Sequence, residues 1–346
     1  MLKKNGGVPL ARLRGIGSLP EEIEAAAGER GLIRSFQVAG LPLEVLQNRN
    51  LPIPLSLMMS LFEAGAVTVG DRALGLTVGK RMSYQVYGHW ADYSERAPDL
   101  GSALRRACAT VKSQLTGVDM TFRREAGLWI WRCSPPLFRK SSVQYVDHII
   151  FPMMAFAQIY LGTGWRPDWI EVSYARDKAA QLIEAALQAP LRCGGEGIAF
   201  PFSAEDVARS HPSAARATAE RFELKEVVND VVLSDAPEPA RSLSAVVSLR
   251  LLQGESDIEG AAALAGVSIQ GLQRRLRTSG YTYRDIVEAA RRMRAVTLLR
   301  ETNLSVSAIA FSLGYEEHAN FSRAFQRWFD CSPSMYRESQ RHPPAT

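Results

Sequence analysis

Two sets of polar side chains near the end of the sequence have the types and the spacing that DNA-reading residues need. The members of the first set recur at i, i+3, i+4 and i+7, so they share one face of a helix; they are Gln270, Gln273, Arg274 and Arg277. In the major groove of DNA, arginine pairs with guanine and glutamine with adenine through two hydrogen bonds each. These residues therefore predict a contact surface for double-stranded DNA. The alternative is an arginine-rich surface that faces only water.

The second set lies about 50 residues further along and faces away from a stripe of aromatic side chains. The stripe has helical spacing and is predicted to be core, because such stripes are more often buried than free to stack on bases. It consists of Phe321, Phe325, Trp328 and Phe329. The opposite face consists of His318, Ala319, Ser322, Arg323 and Gln326. His318 opens this predicted helix, where a side chain can reach a base or a phosphate.

Both sets belong to one repeated segment, in which residues 256–280 are echoed by 304–329. Gly266 recurs 48 positions later as Gly314, whereas Leu276 recurs 49 positions later as Phe325, so the second turn holds one extra residue. Small residues before each glycine allow two helices to approach closely, and the glycine supplies the positive φ that ends the first of them. Each copy is therefore predicted to be a helix-turn-helix unit.

The predicted elements of this region are a first unit at about 257–280, a linker helix at 283–300 and a second unit at about 306–329. Ser256 with Glu259 predicts a capping box for the first helix, and Thr282 is the predicted cap of the linker. The linker's predicted apolar stripe is Ile286, Ala289, Met293, Val296 and Leu299, with Arg284, Arg291, Arg292 and Arg294 outside. Such a helix is about 27 Å long, close to the roughly 34 Å between successive major-groove faces. A purely structural helical bundle is the alternative.

Charge is distributed unevenly along the 346 residues. From Arg241 to the end there are 14 arginines, no lysine and 10 acidic residues, whereas the first 240 residues hold 27 basic and 26 acidic side chains. The positive excess therefore lies in the last third and consists of arginine, which suits bidentate contacts to phosphate and guanine. The 46% hydrophobic and 22% charged content is that of an ordinary globular protein.

A break in the pattern at residues 234–242, with Pro237 and Pro239, divides the chain into predicted domains 1–235 and 236–346. The first is predicted to be a mixed α/β domain and the second all-α, with two helix-turn-helix units joined by a long helix. The predicted helices of the first domain are 54–66, 100–115, 143–161 and 178–188. Its predicted strands are a hairpin around Met120 to Trp131, followed by 169–175 and 197–202.

In residues 240–340 the sequence resembles the AraC/XylS family of bacterial regulators. The resemblance is carried by AIAFSLGYEEHANFSRAFQRWFDCSPSMYR (308–337) and GVSIQGLQRRL (266–276). It implies base contacts from Gln270, Gln273 and Arg274 in the first unit and from His318, Ala319, Ser322 and Arg323 in the second. Asp330 stands where the family usually has glycine, and aspartate tolerates the left-handed backbone better than most residues.

Residues 42–230 resemble the effector-binding and dimerisation domain of one branch of that family, through a segment that contains Leu74-Gly75-Leu76 and through ALQAPLRCGGEGIAFPF. The resemblance implies a ligand-responsive homodimer that contacts RNA polymerase, more often an activator than a repressor. It leaves the effector open, with amino acids and fatty acids as possibilities, and the RxxxR spacing of Arg30 and Arg34 adds cyclic di-GMP as a third. The candidate effector-binding residues are Arg30 and Arg34, which form an RxxxR pair, and the buried-type side chains Trp129, Trp131, His148 and Trp165.

Two further functions remain open: a DNA-repair enzyme fused to this DNA-binding module, and a ligand-independent architectural DNA-binding protein. The enzyme requires a cysteine in a cationic setting, and neither RRACAT around Cys108 nor LRCGGEG around Cys193 resembles such a motif. The four cysteines form no CxxC pair, so no metal site and no cofactor are predicted. No apolar run is long enough for a membrane span and no signal-peptide core follows the N-terminus, so the expected location is the cytoplasm.

Overall fold

A computed structural model of the chain describes residues 6–134, 142–213 and 226–341. The chain divides into two compact units, one comprising Pro9–Val227 and the other Met1–Val8 with Val228–Thr346. The proline-containing segment 234–242 leads into the first long helix of the second unit. The structure therefore has the mixed α/β first unit and the all-α second unit that the sequence predicts.

In the described part of the first unit, seven strands form two sheets: β1 (Leu10–Arg12), β2 (Pro52–Pro54), β3 (Asp119–Glu125), β4 (Leu128–Ser134), β5 (Ile170–Val172), β6 (Leu191–Cys193) and β7 (Ile198–Phe202). β1 and β2 pair antiparallel, and the other five lie in the order β3-β4-β7-β5-β6, with β5 and β6 parallel. The predicted hairpin is confirmed, with Asp119 opposite Ser134. Ala126 and Gly127 both have positive φ, as a two-residue hairpin turn requires.

The helices of the first unit are α1 (Leu19–Ala39), α2 (Leu55–Val69), α3 (Leu74–Arg81), α4 (His89–Glu95), α5 (Leu100–Thr110), α6 (Val143–Leu161), α7 (Ala180–Leu187) and α8 (Ala204–Val207). The four predicted helices are confirmed as α2, α5, α6 and α7. The core is built where α5, α6 and α7 pack on the five-stranded sheet, around the fully buried Trp131, Phe156 and Phe200. The burial of so much aromatic surface is the main stabilising contribution.

α3 packs on α6 at very short range because two glycines face it. A β-carbon added to Gly75 would lie 2.1 Å from the carbonyl oxygen of Gln144, and one added to Gly79 would lie 2.4 Å from that of His148. Real side chains cannot occupy these positions without moving a helix. The two glycines therefore fix the position of α6 and of the side chains that it carries.

The helices of the second unit are α9 (Ala240–Arg250), α10 (Ile258–Leu264), α11 (Ile269–Thr278), α12 (Tyr283–Glu301), α13 (Val306–Ser312), α14 (His318–Phe329) and α15 (Pro333–Arg341). α10 and α11 form the first predicted helix-turn-helix unit, α12 is the predicted linker, and α13 and α14 form the second unit. α9 and α15 were not predicted; both pack on α12. A core cluster around Leu299, Phe321 and Phe325 joins the linker to the second unit.

Most of the elements of the first unit that sequence patterns miss are short, although α1, with 21 residues, is also missed. β1, β2 and β6 each hold three residues, too few to show the alternation that identifies a strand. α1 is interrupted at Gly28, where φ is 69° and ψ is 178°. Short elements of this kind are set by their tertiary neighbours and not by local periodicity.

Candidate nucleic-acid interface

The first helix-turn-helix unit is built from two capped helices and a glycine turn. Asp257, and not the predicted Ser256, caps α10, since its carboxylate accepts the Gly260 N–H at 2.8 Å. Aspartate at this position satisfies a free N–H and also favours the positive end of the helix dipole. Gly266 follows the end of α10 and has the predicted positive φ, 66°. Ser268 then caps α11 by accepting the Gly271 N–H at 3.1 Å.

α11 has one buried face and one exposed face. Leu272 and Leu276 are fully buried, which confirms their predicted inward direction. The exposed face brings together all four side chains of the first predicted set: Gln270, Gln273, Arg274 and Arg277. Because the two leucines fix the rotation of α11, the glutamines and arginines point away from the domain as one polar surface.

The second unit repeats this build with a longer turn. Between α13 and α14 lie residues 313–317, one residue more than the 265–268 segment between α10 and α11, as the offset in the repeat predicts. Gly314 has a φ of 74°, and Phe321 and Phe325 are fully buried. On the other face His318, Ala319, Arg323 and Gln326 are exposed and Ser322 is half-buried.

Arg323 is held in place on the surface of α14. Its Nη2 donates to the Oδ1 of Asn320 at 2.6 Å, one helical turn away. Asn320 is itself exposed and has the amide that pairs with adenine in the major groove. The DNA-contact face predicted from the sequence leaves out Asn320, although this residue follows His318 by two positions in the same predicted recognition helix.

α14 ends at Asp330, whose φ of 54° and ψ of 17° are those of the left-handed region. This is the conformation expected for the position where the family usually has glycine. The N–H of Asp330 donates to the carbonyl of Gln326 at 2.9 Å. The aspartate therefore performs the helix-ending role of glycine.

The linker helix α12 holds 19 residues and is about 28 Å long. Thr282 caps it in a capping box with Asp285, as predicted. Its apolar stripe differs from the predicted one, because Met293 is 53% exposed. The buried positions are Ile286, Val287, Ala290, Ala295 and Leu299. The change reflects the helices that surround α12: α9, α13 and α15 contact it from different sides, so no single face is buried along its length.

Arg291 is the main exception to the predicted outward arginines of α12. Its Nε donates to the carbonyl of Leu313 at 2.8 Å and its Nη2 to the carbonyl of Gly314 at 3.1 Å. The same Nη2 lies 3.2 Å from the Ser256 hydroxyl, and the guanidinium lies 4.6 Å from the centre of the Tyr315 ring. Arg291 therefore joins the turn of the second unit to the start of the first.

Further hydrogen bonds join each helix-turn-helix unit to α12, two in the second unit and one in the first. In the second unit, Glu288 Oε1 accepts from Arg327 Nη2 at 2.8 Å and from Trp328 Nε1 at 2.7 Å. These hydrogen bonds lower the pKa of Glu288, with the Trp328 contact the larger cause. In the first unit, the Tyr283 hydroxyl donates to the carbonyl of Asp257 at 2.8 Å. Both helix-turn-helix units are thus joined to α12, the first through the start of α10 and the second through α14.

The first unit of the chain contains a cavity that two of the predicted effector-binding residues line. Trp131 projects from β4 and His148 from α6. The volume is about 40 Å³, a space for a few water molecules. The other lining residues are Ala11, Gly15, Met58, Tyr84, Tyr87, Trp90, Gln114, Leu115, Val118, Met120, Cys133, Tyr145, Ile149, Pro152 and Met153.

His148 is neutral in this cavity. Its ring is fully buried and stacks on Phe62 with a centroid distance of 4.1 Å. The ring Nδ1 contacts the carbonyl of Tyr145, and the backbone of Gly15 also faces the ring. Burial lowers the pKa of His148 to about 3.

The remaining effector candidates lie elsewhere. Trp129 stacks on Phe122 at 4.9 Å and does not line the cavity. Trp165 stacks on Phe202 at 5.2 Å. Arg30 and Arg34 are exposed on α1, and Arg34 alone of the pair lines a surface groove of about 670 Å³ beside α2. The structure therefore does not bring the RxxxR pair and the aromatic candidates into one site.

Comparison with known families adds to this geometry. The family model described as a helix-turn-helix domain matches residues 261–339. The model described as the N-terminal arabinose-binding domain of AraC transcription regulators matches residues 32–210, more than half of the chain. The chain belongs to the AraC family of transcription regulators. The α/β unit and the two helix pairs correspond to these two matched regions.

Individual relatives of this AraC-family chain share different parts of it. It is 44% identical to the transcriptional regulator VqsM of Pseudomonas aeruginosa over 68 residues, 20% of the chain and 21% of that protein. It is 39% identical to the regulatory protein SoxS of Escherichia coli over 82 residues, 23% of the chain and 77% of SoxS. The crystal structure of the transcriptional regulator CdpR from Pseudomonas aeruginosa aligns with 76% of the chain and 86% of CdpR, with 20% identity and a TM-score of 0.36. The chain thus spans about a fifth of the length of VqsM and most of SoxS.

Two of the four cysteines of this AraC-family chain, Cys108 and Cys133, are poorly suited to nucleophilic chemistry. Burial raises the pKa of both the Cys108 and the Cys133 thiols to about 12, so they stay protonated, and the thiolate is the reactive form. In the described part of the chain no group of three ligating side chains could hold a metal ion. No helix within 6–134, 142–213 or 226–341 is long and apolar enough to cross a membrane.

Proposed function

We propose that this AraC-family chain is a sequence-specific, ligand-responsive transcription regulator that reads two successive major grooves of double-stranded DNA, with α11 in one and α14 in the next. One observation carries the proposal. Two helix-turn-helix units of the same build are fixed by hydrogen bonds to a single 19-residue helix, and each presents an exposed polar face.

The length of α12 and the positive charge of the last third of the chain support binding of α11 and α14 in two successive major grooves. α12 is about 28 Å long, of the order of the roughly 34 Å that separates successive major-groove faces. The arginine excess of the last third favours approach to phosphate. Gln270, Gln273 and Arg274, with Arg277 beside them, read one half-site. His318, Ala319, Ser322, Arg323 and Gln326 read the other.

The first unit supports the regulatory part of the proposal. Its likeness to the arabinose-binding domain of AraC regulators and its largely apolar cavity favour control by a small molecule. The chain then acts as a homodimer that contacts RNA polymerase, and as an activator. A repair enzyme is disfavoured because the two buried thiols are protonated at neutral pH.

Binding-site selection on sheared genomic DNA from the source organism tests the readout. Wild type is compared with Arg274→Ala in α11 and Arg323→Ala in α14, and with Arg124→Ala as a matched control, since Arg124 is exposed on β3 of the other unit. We expect one motif with two elements about one helical turn apart. Arg274→Ala and Arg323→Ala should each weaken the base preference in a different element of the motif, at a cost of about 1–3 kcal/mol of base discrimination. The Arg124→Ala control should recover the wild-type motif.

Diffuse enrichment would contradict sequence-specific reading. If both substitutions weakened binding evenly over all sequences, the two arginines would be phosphate contacts. The chain would then be an architectural DNA-binding protein.

A further inference from the structure

The cavity of the first unit is apolar on most of its surface and has adaptable walls. Met58, Met120 and Met153 line it, and methionine side chains can change conformation to fit a guest at low cost. Its present volume of about 40 Å³ is smaller than a six-membered ring needs. Movement of these methionines is therefore the means by which the cavity would enlarge.

Three residues that line this cavity each hold a buried polar atom that has no hydrogen-bond partner in the described residues: the Tyr84 hydroxyl, the Gln114 Oε1 and the Trp131 Nε1. Their residues are 2%, 2% and 0% exposed. Ser94 lies near the Tyr84 hydroxyl and Cys108 near the Trp131 N–H, but neither contact has hydrogen-bond geometry. Buried polar groups without partners are costly, so the presence of three of them on the lining residues of one cavity points to a guest with polar atoms that would become their partner once the cavity enlarges.

No lining residue carries a charge at neutral pH. The lining holds no lysine, arginine, aspartate or glutamate, and burial keeps His148 neutral. A carboxylate, phosphate or ammonium group placed here would be buried without a counter-charge, which is strongly unfavourable. A sugar would lose water from several hydroxyls and regain few hydrogen bonds among the aromatic and methionine side chains.

We propose that this cavity is the effector site and that it takes an uncharged, largely apolar molecule with a single hydroxyl group. A hydroxyl can accept from the Trp131 N–H, which only donates, and donate to the Gln114 oxygen, which only accepts. The Tyr84 hydroxyl can serve in either direction. The inference rests on the proposed ligand-responsive function and specifies the ligand class of its first unit.

Thermal unfolding of the full-length chain with a matched set of probes tests the ligand class. Phenol, toluene and benzoate have similar size and differ in the polar group and the charge; hexan-1-ol adds a flexible alcohol, and L-arabinose a sugar. We expect phenol and hexan-1-ol to raise Tm in a concentration-dependent way. Toluene should bind more weakly than phenol, and benzoate and L-arabinose should leave Tm unchanged. Stabilisation by benzoate or L-arabinose, or none by either alcohol, would overturn the inference.

Variants show whether binding occurs in this cavity. Gln114→Met removes the acceptor at similar volume, and we expect phenol affinity to fall about tenfold while toluene affinity is unchanged. Trp131→Phe provides a second test if the first variant unfolds. The matched controls are Gln37→Met, exposed on α1, and Trp129→Phe, on the same strand but outside the cavity, and both should bind phenol as wild type does. Equal loss in variants and controls would overturn the assignment.

The same protein preparations distinguish this inference from the proposed function. If the two-element DNA motif is recovered but no alcohol stabilises the chain, the cavity assignment fails and DNA recognition stands. If alcohols bind but no motif is recovered, the ligand site stands and the proposed regulator fails.

Discussion

Asp330 lowers the stability of the second unit through both its backbone conformation and its charge. It holds a left-handed backbone conformation at the end of α14, which an L-amino acid adopts less readily than glycine. Its carboxylate also lies at the C-terminal end of a helix, where the backbone dipole disfavours negative charge. Both effects oppose stability, and they can be separated by substitution.

We expect Asp330→Gly to raise the free energy of unfolding by about 0.5–1 kcal/mol, since glycine has no β-carbon to strain. Asp330→Asn keeps a side chain that tolerates this conformation and removes the charge, so a gain of a few tenths of a kcal/mol is expected. Asp330→Ala should instead lower stability. Urea denaturation of the four proteins measures the order, and a loss of stability in the glycine variant would contradict the account.

Residue-scale features were predictable where they depend on neighbours in the chain. The left-handed Asp330 and the glycine turns at Gly266 and Gly314 follow from local backbone chemistry and are confirmed. The cap of α10 was wrongly given to Ser256, because Asp257 was equally able to cap. Arg250, whose Nη2 binds the Asp257 carboxylate at 2.6 Å, stabilises the latter choice, and this partner is known only from the fold.

At the scale of elements, α12 positions both recognition helices through side chains that point in several directions. Arg291 contacts both units, and Glu288 holds the end of α14 through Arg327 and Trp328. The sequence predicted the length and cap of α12, but it predicted a single apolar stripe. The actual faces could not be read from periodicity, because three other helices pack around this one.

Glu288 tests the anchoring of α14. Glu288→Ala leaves the Trp328 N–H without its acceptor, and we expect a loss of about 1–2 kcal/mol in the free energy of unfolding. Glu288→Gln keeps an amide oxygen for Trp328 and loses only the exposed ion pair with Arg327, so a loss below about 1 kcal/mol is expected. Glu301→Ala is the control, because Glu301 is exposed at the end of the same helix. The measurement is urea denaturation near neutral pH.

The same contact has a defined pH dependence. The pKa of Glu288 is lowered by its hydrogen bonds below the ordinary value of 4.5. Its contribution to stability is therefore complete above about pH 4.5 and is lost as the pH falls through the lowered pKa. The stability difference between wild type and Glu288→Gln should narrow on acidification. A difference that stayed constant with pH would show that the charge of Glu288 plays no part.

At the scale of the whole molecule, local sequence patterns gave the elements but not the cavity. The repeat and the hydrophobic periodicities predicted α10 to α14 and most of the longer strands and helices of the first unit. The cavity draws its lining from residues between Ala11 and Met153, on segments joined only by tertiary folding. Trp131 and His148 are predicted from their residue types alone. Tyr84 lies in a short turn without a periodic signal, and Gln114 lies within the predicted helix 100–115 but beyond the end of α5 at Thr110.

The division into two compact units gives a prediction for the separated C-terminal unit. The hydrogen bonds described above that join the two helix-turn-helix units to α12 all lie within Val228–Thr346. A fragment of these residues lacks the hydrogen bond between the Val8 N–H and the Ser242 hydroxyl, which is 2.7 Å long. This loss should cost only about 1 kcal/mol, because Ser242 keeps its bond to Glu238 at 2.6 Å.

The fragment 228–346 is therefore expected to unfold cooperatively and to recover the same two-element DNA motif as the full chain. Its Tm should not respond to phenol, because the whole lining of the cavity lies in the other unit. Site selection and thermal unfolding of fragment and full chain, side by side, measure both properties. A folded fragment with an altered motif would mean that the first unit contributes to base recognition. A fragment stabilised by phenol would place a binding site for alcohols outside the cavity.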